Sequence, residues 1–249
     1  MKAENGKGKA QNKARNLSSL FSRLFPLAAP ARVFLAVAAF GSGSAAADLP
    51  RHDYVANAPG TYALQRIQPA GNGWVLEGNL LPRRLSGYTH GAITLMSFVY
   101  TYCTDPLGCP LAYNTFVQVK ERVAKDPALH GKVELVSLSF DPTNDTPQAM
   151  MQYGGEHATD KTVPWHFLTT YSVRFLLPIL EDFGQDVELD RDAEDKPLRT
   201  YTHMLKVFLI DAQGEVREIY STAFLNPQVV FNDIKTLALE AAQPKKAAQ

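Results

Sequence analysis

Cysteine is scarce in this chain of 249 residues, which has two of them, Cys103 and Cys109. No further cysteine exists to close a structural zinc site, which normally has four protein ligands. Both cysteines lie in one short segment that also contains the turn-forming residues Pro106 and Gly108. The segment can therefore fold back so that the two thiols meet, either as a disulfide or as two ligands of one metal ion.

Basic residues are in the minority once the first 47 residues are set aside. Those residues contain seven of the 25 basic residues and one of the 25 acidic residues, so 18 basic residues remain against 24 acidic ones. A net negative charge of this size without a basic run argues against nucleic acid as a partner. It is compatible with a soluble protein that meets small ions or other proteins.

The sequence also lacks an apolar run long enough for a typical membrane span. A basic start is followed by the apolar residues 33–40 and by the small residues Ala45, Ala46 and Ala47, a pattern typical of a cleaved export signal. The uncharged stretch covers residues 33–47, short of the roughly 20 apolar residues of a spanning helix. We predict a signal peptide at residues 1–47 and a periplasmic protein, which would be membrane-tethered only if the signal were retained.

Alternating strand and helix patterns predict the fold. Nearly continuous apolar runs at residues 92–101 and 133–140 are typical of strands buried on both faces of a sheet. The remaining predicted elements are an N-terminal hairpin of residues 62–67 and 74–79, strands at 165–168, 204–210 and 215–220, helices from Pro110, from Pro147, at 173–183 and at 229–242, and loops at 80–91 and 186–197. This order predicts one α/β sandwich domain with a central mixed sheet over residues 62–243, between a linker at 48–61 and a tail at 244–249.

The cysteine pair is predicted to lie at the carboxyl end of a buried strand. Ligand sites of α/β sheets gather at such ends, and Cys109 also lies at the start of the helix predicted from Pro110. The helix dipole there is expected to lower the pKa of Cys109, and also that of Cys103, below the usual value of about 8.5. A lower pKa favours both nucleophilic attack and metal binding, so this argument leaves both activities open.

Four motifs in order give the chain a specific resemblance. They are Tyr-Thr-Tyr-Cys at residues 100–103, Cys-Pro at 109–110, Ser-Phe-Asp-Pro-Thr-Asn-Asp-Thr-Pro at 139–147, and a late His203 expected to open a strand that runs into residues 209–214. Together they resemble the Sco/SenC family over about residues 75–243. The resemblance implies a thioredoxin-like fold and a copper protein of cytochrome oxidase assembly.

By this resemblance, the copper ligands fall on Cys103, Cys109 and His203, and the two cysteines form a disulfide in the oxidised protein. Two thiolates and an imidazole suit copper as Cu(I) or Cu(II). The chain departs from the family in two places: five residues separate the cysteines instead of the usual three, and Thr202 precedes the histidine where the family often has an acidic residue. The longer loop changes the geometry of the two sulfurs, and support for the histidine must come from another group.

The resemblance implies a periplasmic copper-binding assembly factor, a metallochaperone rather than an enzyme. It would deliver copper to cytochrome c oxidase, or prepare its copper site, or serve another cuproprotein. Its partners would then be a copper-receiving protein such as an oxidase subunit, and thioredoxin-like reductants. The alternative is a periplasmic thiol-disulfide oxidoreductase that acts on partner cysteines. A structural disulfide and peroxide reduction are weaker readings, since the pair closes a small loop and no peroxidatic setting surrounds Cys103.

The other candidate ligands have simpler interpretations. The histidines outside the motifs are expected at surface or loop positions: His52, His90, His130, His157 and His166. The methionines of the predicted mature chain are expected to pack in strands and helices: Met96, Met150, Met151 and Met204. Asp141 is interpreted as a strand-to-helix turn residue rather than a ligand. The acidic residues at 190–195 lack the central glycine of a calcium loop and are interpreted as a solvated loop.

Overall fold

An eight-stranded mixed sheet runs through the centre of the structure. The structure is a computed structural model that describes residues 54–243, so the predicted signal peptide and tail lie outside the described residues. The strands are β1 (Gln68–Pro69), β2 (Trp74–Glu77), β3 (Pro82–Arg84), β4 (Ile93–Val99), β5 (Val133–Ser139), β6 (Trp165–Thr169), β7 (Val187–Arg191), β8 (Pro197–His203), β9 (Lys206–Ile210) and β10 (Glu215–Ser221). The sheet order is β1-β10-β9-β4-β5-β6-β2-β3, and β7 and β8 form a separate two-stranded sheet.

Helices connect and cover the strands. They are α1 (Ser86–Thr89), α2 (Cys109–Ala124), α3 (Pro147–Gly154), α4 (Val173–Asp182) and α5 (Pro227–Ala242). Among the helices of the described region, none is long and apolar enough to cross a membrane. The mixed α/β sandwich confirms the predicted fold class.

The three central strands β4, β5 and β6 run parallel, so their carboxyl ends meet at one edge of the sheet. Leu95 pairs with Leu135, and Leu135 with Trp165. Every residue of β4 is buried, because helices cover both faces of this strand. Side chains alternate along each strand, and burial on both sides explains why the sequence of β4 reads as a continuous apolar run.

The two faces of the sheet have different coverings. On one face Trp165 packs against Phe116 of α2, with ring centroids 5.5 Å apart. On the other face Phe98 of β4 meets Phe183, the residue that follows α4, at 5.5 Å, and Phe208 of β9 at 6.1 Å. Such aromatic contacts add to the burial of apolar surface that holds the sandwich together.

The N-terminal hairpin forms from other residues than those predicted. Residues 62–67 form no strand; β1 pairs antiparallel with β10 at one edge of the sheet, while β2 pairs with β3 and β6 at the other edge. The predicted loop at residues 80–91 contains β3 and α1. Of the predicted linker, residues 54–61 have no helix or strand and run along α5, where the carbonyl of Asn57 accepts a hydrogen bond from Asn232 Nδ2 at 2.8 Å.

The prediction of an acidic loop at residues 186–197 is also wrong. Its first part is β7, which pairs with β8 to form a hairpin that we call the histidine hairpin because β8 ends at His203. His203 therefore ends one strand instead of opening the next. The buried Gln185 joins the two ends of this hairpin, since its Nε2 donates to the carbonyl of Asp186 and to that of Met204, each at 3.1 Å.

Candidate metal centre

Cys103 and Cys109 lie where β4 ends and α2 begins. A turn after β4 is closed by the hydrogen bond from the Cys103 amide to the Tyr100 carbonyl at 3.3 Å. Cys109 is the first residue of α2, with Pro110 in the first helical turn, as the sequence predicts. Cys109 is 1% exposed, whereas Cys103 is half-buried. One sulfur thus belongs to the core and the other borders the surface.

The residues from Cys103 to Cys109, which we call the dithiol loop, are folded by their own hydrogen bonds. The Asp105 carboxylate accepts from the Leu107 amide, and the Asp105 carbonyl from the Gly108 amide, both at 3.0 Å. This turn brings Gly108 so close to Cys103 that a Cβ at Gly108 would lie 3.4 Å from the Cys103 sulfur. The five residues between the two cysteines are therefore folded into a compact turn.

The two cysteines are free thiols in hydrogen-bond contact. The hydrogen bond from Cys109 lowers the pKa of Cys103 to about 5, with further donation from the Cys109 amide and Tyr100. The same contact and burial raise the pKa of Cys109. The prediction of a lowered pKa is confirmed in direction for Cys103 and wrong for Cys109, because sharing one proton and burial outweigh the helix dipole.

An aromatic cluster connects the dithiol loop to the histidine hairpin. Tyr100 hydrogen-bonds the Cys103 thiol, and its ring contacts His203 edge-on with centroids 6.4 Å apart. The His203 ring also packs edge-on against Phe140, at 4.8 Å, and Tyr201 of β8 contacts Phe140 at 5.3 Å. The imidazole is thus held by aromatic rings next to the cysteine that borders the surface.

Cys103 and His203 line the same open cavity of about 390 Å³, together with Tyr100 and Met204. Among residues 54–243, no three His, Cys, Asp or Glu side chains lie close enough together to hold a metal ion. The structure therefore brings the two cysteines into contact and places His203 on the wall of the shared cavity without a closed three-ligand site. The assignment of all three residues as copper ligands stays a prediction.

The ends of β4 and β5 are held together by the buried carboxylate of Asp145. Asp145 is fully buried and accepts hydrogen bonds from the Thr101 amide at 3.1 Å, the Thr101 hydroxyl at 2.6 Å and the Ser139 hydroxyl at 2.6 Å. The neighbouring Thr146 caps α3, accepting from the Ala149 amide at 3.2 Å. Asp145 therefore fixes the backbone two residues before Cys103.

Asp141 anchors the residue immediately before Cys103. Its carboxylate accepts hydrogen bonds from the Tyr102 hydroxyl and from Asn144 Nδ2, the latter at 2.7 Å. The Arg199 guanidinium of the histidine hairpin lies 4.8 Å from the centre of the Tyr102 ring. Asp141 is thus more than a turn residue, since it fixes an aromatic side chain shared by the two halves of the candidate site.

Two of the simpler interpretations are wrong. His166 lies inside the sheet on β6, where its Nδ1 is 2.7 Å from Glu77 Oε1 and its Nε2 is 3.6 Å from Glu134 Oε2. Hydrogen bonds to the two carboxylates outweigh burial and raise the pKa of His166 to about 9.

Met204 does not pack in a strand, since it is 64% exposed beside the candidate centre. Of the other histidines, His52 lies outside the described residues, and His130 is exposed as predicted.

The architecture and the site together define a class of protein. A mixed sheet flanked by helices, with a dithiol at the junction of a central strand and a helix, is a thioredoxin-like arrangement. The histidine on a separate hairpin beside that dithiol distinguishes this protein from a thioredoxin-like protein that has the dithiol alone. The SCO1/SenC family profile matches residues 84–239, more than half of the chain, and the chain belongs to this family.

Solved structures of the same family share the fold at low sequence identity. Apo Sco1 from Thermus thermophilus is 22% identical, covers 73% of this chain and 99% of its own, and gives a TM-score of 0.56. Copper-bound ScoI from Arabidopsis thaliana is 15% identical, covers 69% and 98%, and gives 0.57. BsSco, described as a cytochrome c oxidase assembly protein with a disulfide switch, is 19% identical, covers 71% and 98%, and gives 0.51. No curated protein gave a significant match.

Proposed function

We propose that this protein is a copper-binding assembly factor that holds one copper ion through Cys103, Cys109 and His203. It passes the ion to cytochrome c oxidase or another cuproprotein, or prepares the copper site of that protein. The observation that carries the proposal is a free dithiol whose Cys103 shares one open cavity with His203, in a chain of the SCO1/SenC family. The copper-bound relative from Arabidopsis thaliana supports copper as the metal.

The donor set fits copper better than zinc. Two thiolates are soft ligands that bind Cu(I) tightly, and an imidazole is a good ligand of both copper oxidation states. Within residues 54–243 both cysteines are committed to this one site, so a closed four-cysteine zinc site cannot form. Cys103 borders an open cavity, so an incoming ligand of a receiving protein can reach the metal and displace it by ligand exchange.

We also propose that the protein works in the periplasm, which rests on the export-signal pattern of residues 1–47. A retained signal segment would hold the domain at the membrane surface. Fractionation of cells that express the full chain, with mass analysis of the N-terminus, distinguishes a cleaved periplasmic protein from a tethered one.

A Cu(I) titration in competition with a chromogenic chelator tests the copper proposal. The reduced protein is compared with the Cys103→Ser, Cys109→Ser and His203→Ala variants, and with His130→Ala as the matched control at an exposed histidine. We expect one tight equivalent in the wild type and the control, and weaker binding in each of the three site variants. A wild type that fails to compete for Cu(I) would contradict the proposal.

A thiol-disulfide oxidoreductase is the second candidate, favoured by the unequal exposure of the two thiols. The accessible Cys103 thiolate would attack a partner disulfide and release one partner thiolate; the buried Cys109 would then displace the second and leave a Cys103–Cys109 disulfide. Reaction of the reduced protein with a disulfide-bonded peptide tests it. Two results together would support this candidate. The wild type reduces the peptide, and the Cys109→Ser variant stops at the mixed disulfide between Cys103 and the peptide.

A further inference from the structure

The connection between β8 and β9 puts a thioether at the edge of the candidate metal centre. Met204 follows His203 directly and lines the same cavity as Cys103 and His203. Its backbone is fixed, because the buried Gln185 donates a hydrogen bond to its carbonyl at 3.1 Å. The side chain has several rotatable bonds and starts from this fixed point at the cavity. The thioether can therefore reach into the cavity without any movement of the hairpin.

Burial does not explain a methionine at this place. Met96 and Met150 are fully buried, where an unbranched apolar side chain fills space in the core. Met204 is 64% exposed, and the next residue, Leu205, is the one that enters the core at 4% exposure. What distinguishes Met204 from any other exposed side chain beside two candidate ligands is its sulfur atom, a soft electron-pair donor.

The predicted ligand set lacks a third donor in the present arrangement. The His203 ring is packed against Phe140, at 4.8 Å, and in the described part of the chain no three His, Cys, Asp or Glu groups converge on one point. Turning His203 toward the sulfurs would give up this aromatic packing. A flexible thioether on the neighbouring residue can supply a further soft donor beside the two sulfurs, in addition to the imidazole of the proposed function.

We infer that the Met204 Sδ atom is a ligand of Cu(I) at this centre, beside the sulfurs of Cys103 and Cys109. The inference rests on the proposed function and adds a residue to it. Thioethers are soft ligands that favour Cu(I), so Met204 adds to the Cu(I) affinity that Cys103, Cys109 and His203 provide and contributes little to Cu(II) binding. Met204 thereby stabilises copper as Cu(I). In this reduced state the copper ion does not accept electrons from the two thiolates.

The test compares Met204→Leu with the matched control Met151→Leu, a half-buried methionine on α3. Leucine keeps the volume and the apolar character and removes the sulfur. We expect Cu(I) affinity to fall by about tenfold in Met204→Leu, a size typical of removing a supporting partner at a metal site. Cu(II) affinity is expected to stay unchanged in both variants, and Cu(I) affinity to stay unchanged in Met151→Leu.

A second readout follows the methionine methyl groups by ¹³C nuclear magnetic resonance during the Cu(I) titration. We expect the Met204 signal, assigned through its loss in Met204→Leu, to shift with one equivalent while the Met151 signal stays in place. Wild-type affinity in Met204→Leu, or a Met204 signal that does not move, overturns this inference and leaves the proposed function standing. A wild type that binds no Cu(I) overturns both.

Discussion

The dithiol loop and the histidine hairpin supply the two halves of one candidate site, but the protein holds them in different ways. The loop continues β4, whose residues are all buried, and Asp145 fixes the backbone just before Cys103. The strands of the hairpin pair with each other rather than with the main sheet, and most residues of β8 are exposed. The sulfurs are therefore placed by the core, whereas the imidazole is placed by a surface element and its aromatic contacts.

This difference predicts that substitutions in the core lower the free energy of unfolding much more than substitutions in the histidine hairpin. Phe98→Ala removes a ring that packs on Phe183 and Phe208, and we expect a loss of about 3–5 kcal/mol in the free energy of unfolding. Leu198→Ala on the hairpin, where the side chain is 44% exposed, should cost under about 0.5 kcal/mol. Urea unfolding of the two variants measures both values. Equal losses would break the comparison.

The next effect concerns the carboxylate that joins β4 to β5. Asp145→Ala leaves the Thr101 and Ser139 donors without their acceptor in the core, and we expect a loss of about 2–3 kcal/mol together with weaker Cu(I) binding. Asp190→Ala is the matched control, since Asp190 accepts a hydrogen bond from Thr202 on the exposed hairpin. Unfolding curves and the chelator competition give the two measurements. A control as damaging as Asp145→Ala would contradict the difference.

The free energy of unfolding should also depend on pH through a residue of the main sheet, His166 on β6. The folded-state pKa of His166 is raised from 6.5 to about 9, so its stabilising contribution is complete below pH 6.5 and is lost as the pH rises through 9. We expect His166 to account for a loss of about 2 kcal/mol over this range, allowing for partial solvent screening, seen as the difference between the wild type and His166→Gln. The low pKa of Cys103 acts in the opposite direction in all three proteins, and His130→Gln should follow the wild type. Urea unfolding between pH 6 and 10 checks the prediction, which parallel curves for all three proteins would refute.

The smallest expected effect tests the attachment of the hairpin. The Arg199 guanidinium lies 4.8 Å from the centre of the Tyr102 ring, a contact worth about 0.5–1 kcal/mol at an exposed position. Arg199→Ala should accelerate amide hydrogen exchange in β7 and β8 and leave β4 unchanged. Lys196→Ala, at the turn of the same hairpin, is the control. Faster exchange in β4 would show that the hairpin is part of the cooperative core.

The elements predicted correctly are those whose signals are local. The run at 92–101 gave β4, and Pro110 and Pro147 marked the starts of α2 and α3, because these patterns depend on neighbouring residues. The edge strands depend on distant partners instead: Gln68 pairs with Val216, a partner that no local pattern identifies. The acidic β7 has no apolar alternation, since much of it faces solvent, and it was therefore predicted as a loop.

The candidate site divides in the same way. The meeting of Cys103 and Cys109 follows from their short spacing and turn residues, and the family resemblance identified His203. Which thiol has the lower pKa depends on burial and on the direction of one hydrogen bond, which spacing does not encode. The position of Asp145 after β5 indicates a role at the sheet edge, yet two of its three donors belong to Thr101, which follows β4 and is distant in the sequence.

Gln185 has a consequence for protein engineering. One buried side-chain amide binds the carbonyls of Asp186 and Met204, which are the entry and the exit of the histidine hairpin. The span between them can therefore be treated as an exchangeable cassette, since a graft that keeps these two carbonyls keeps the junction with the sheet. Hairpins of other lengths, each with a donor side chain of choice at its last position, could then be installed on an unchanged dithiol scaffold.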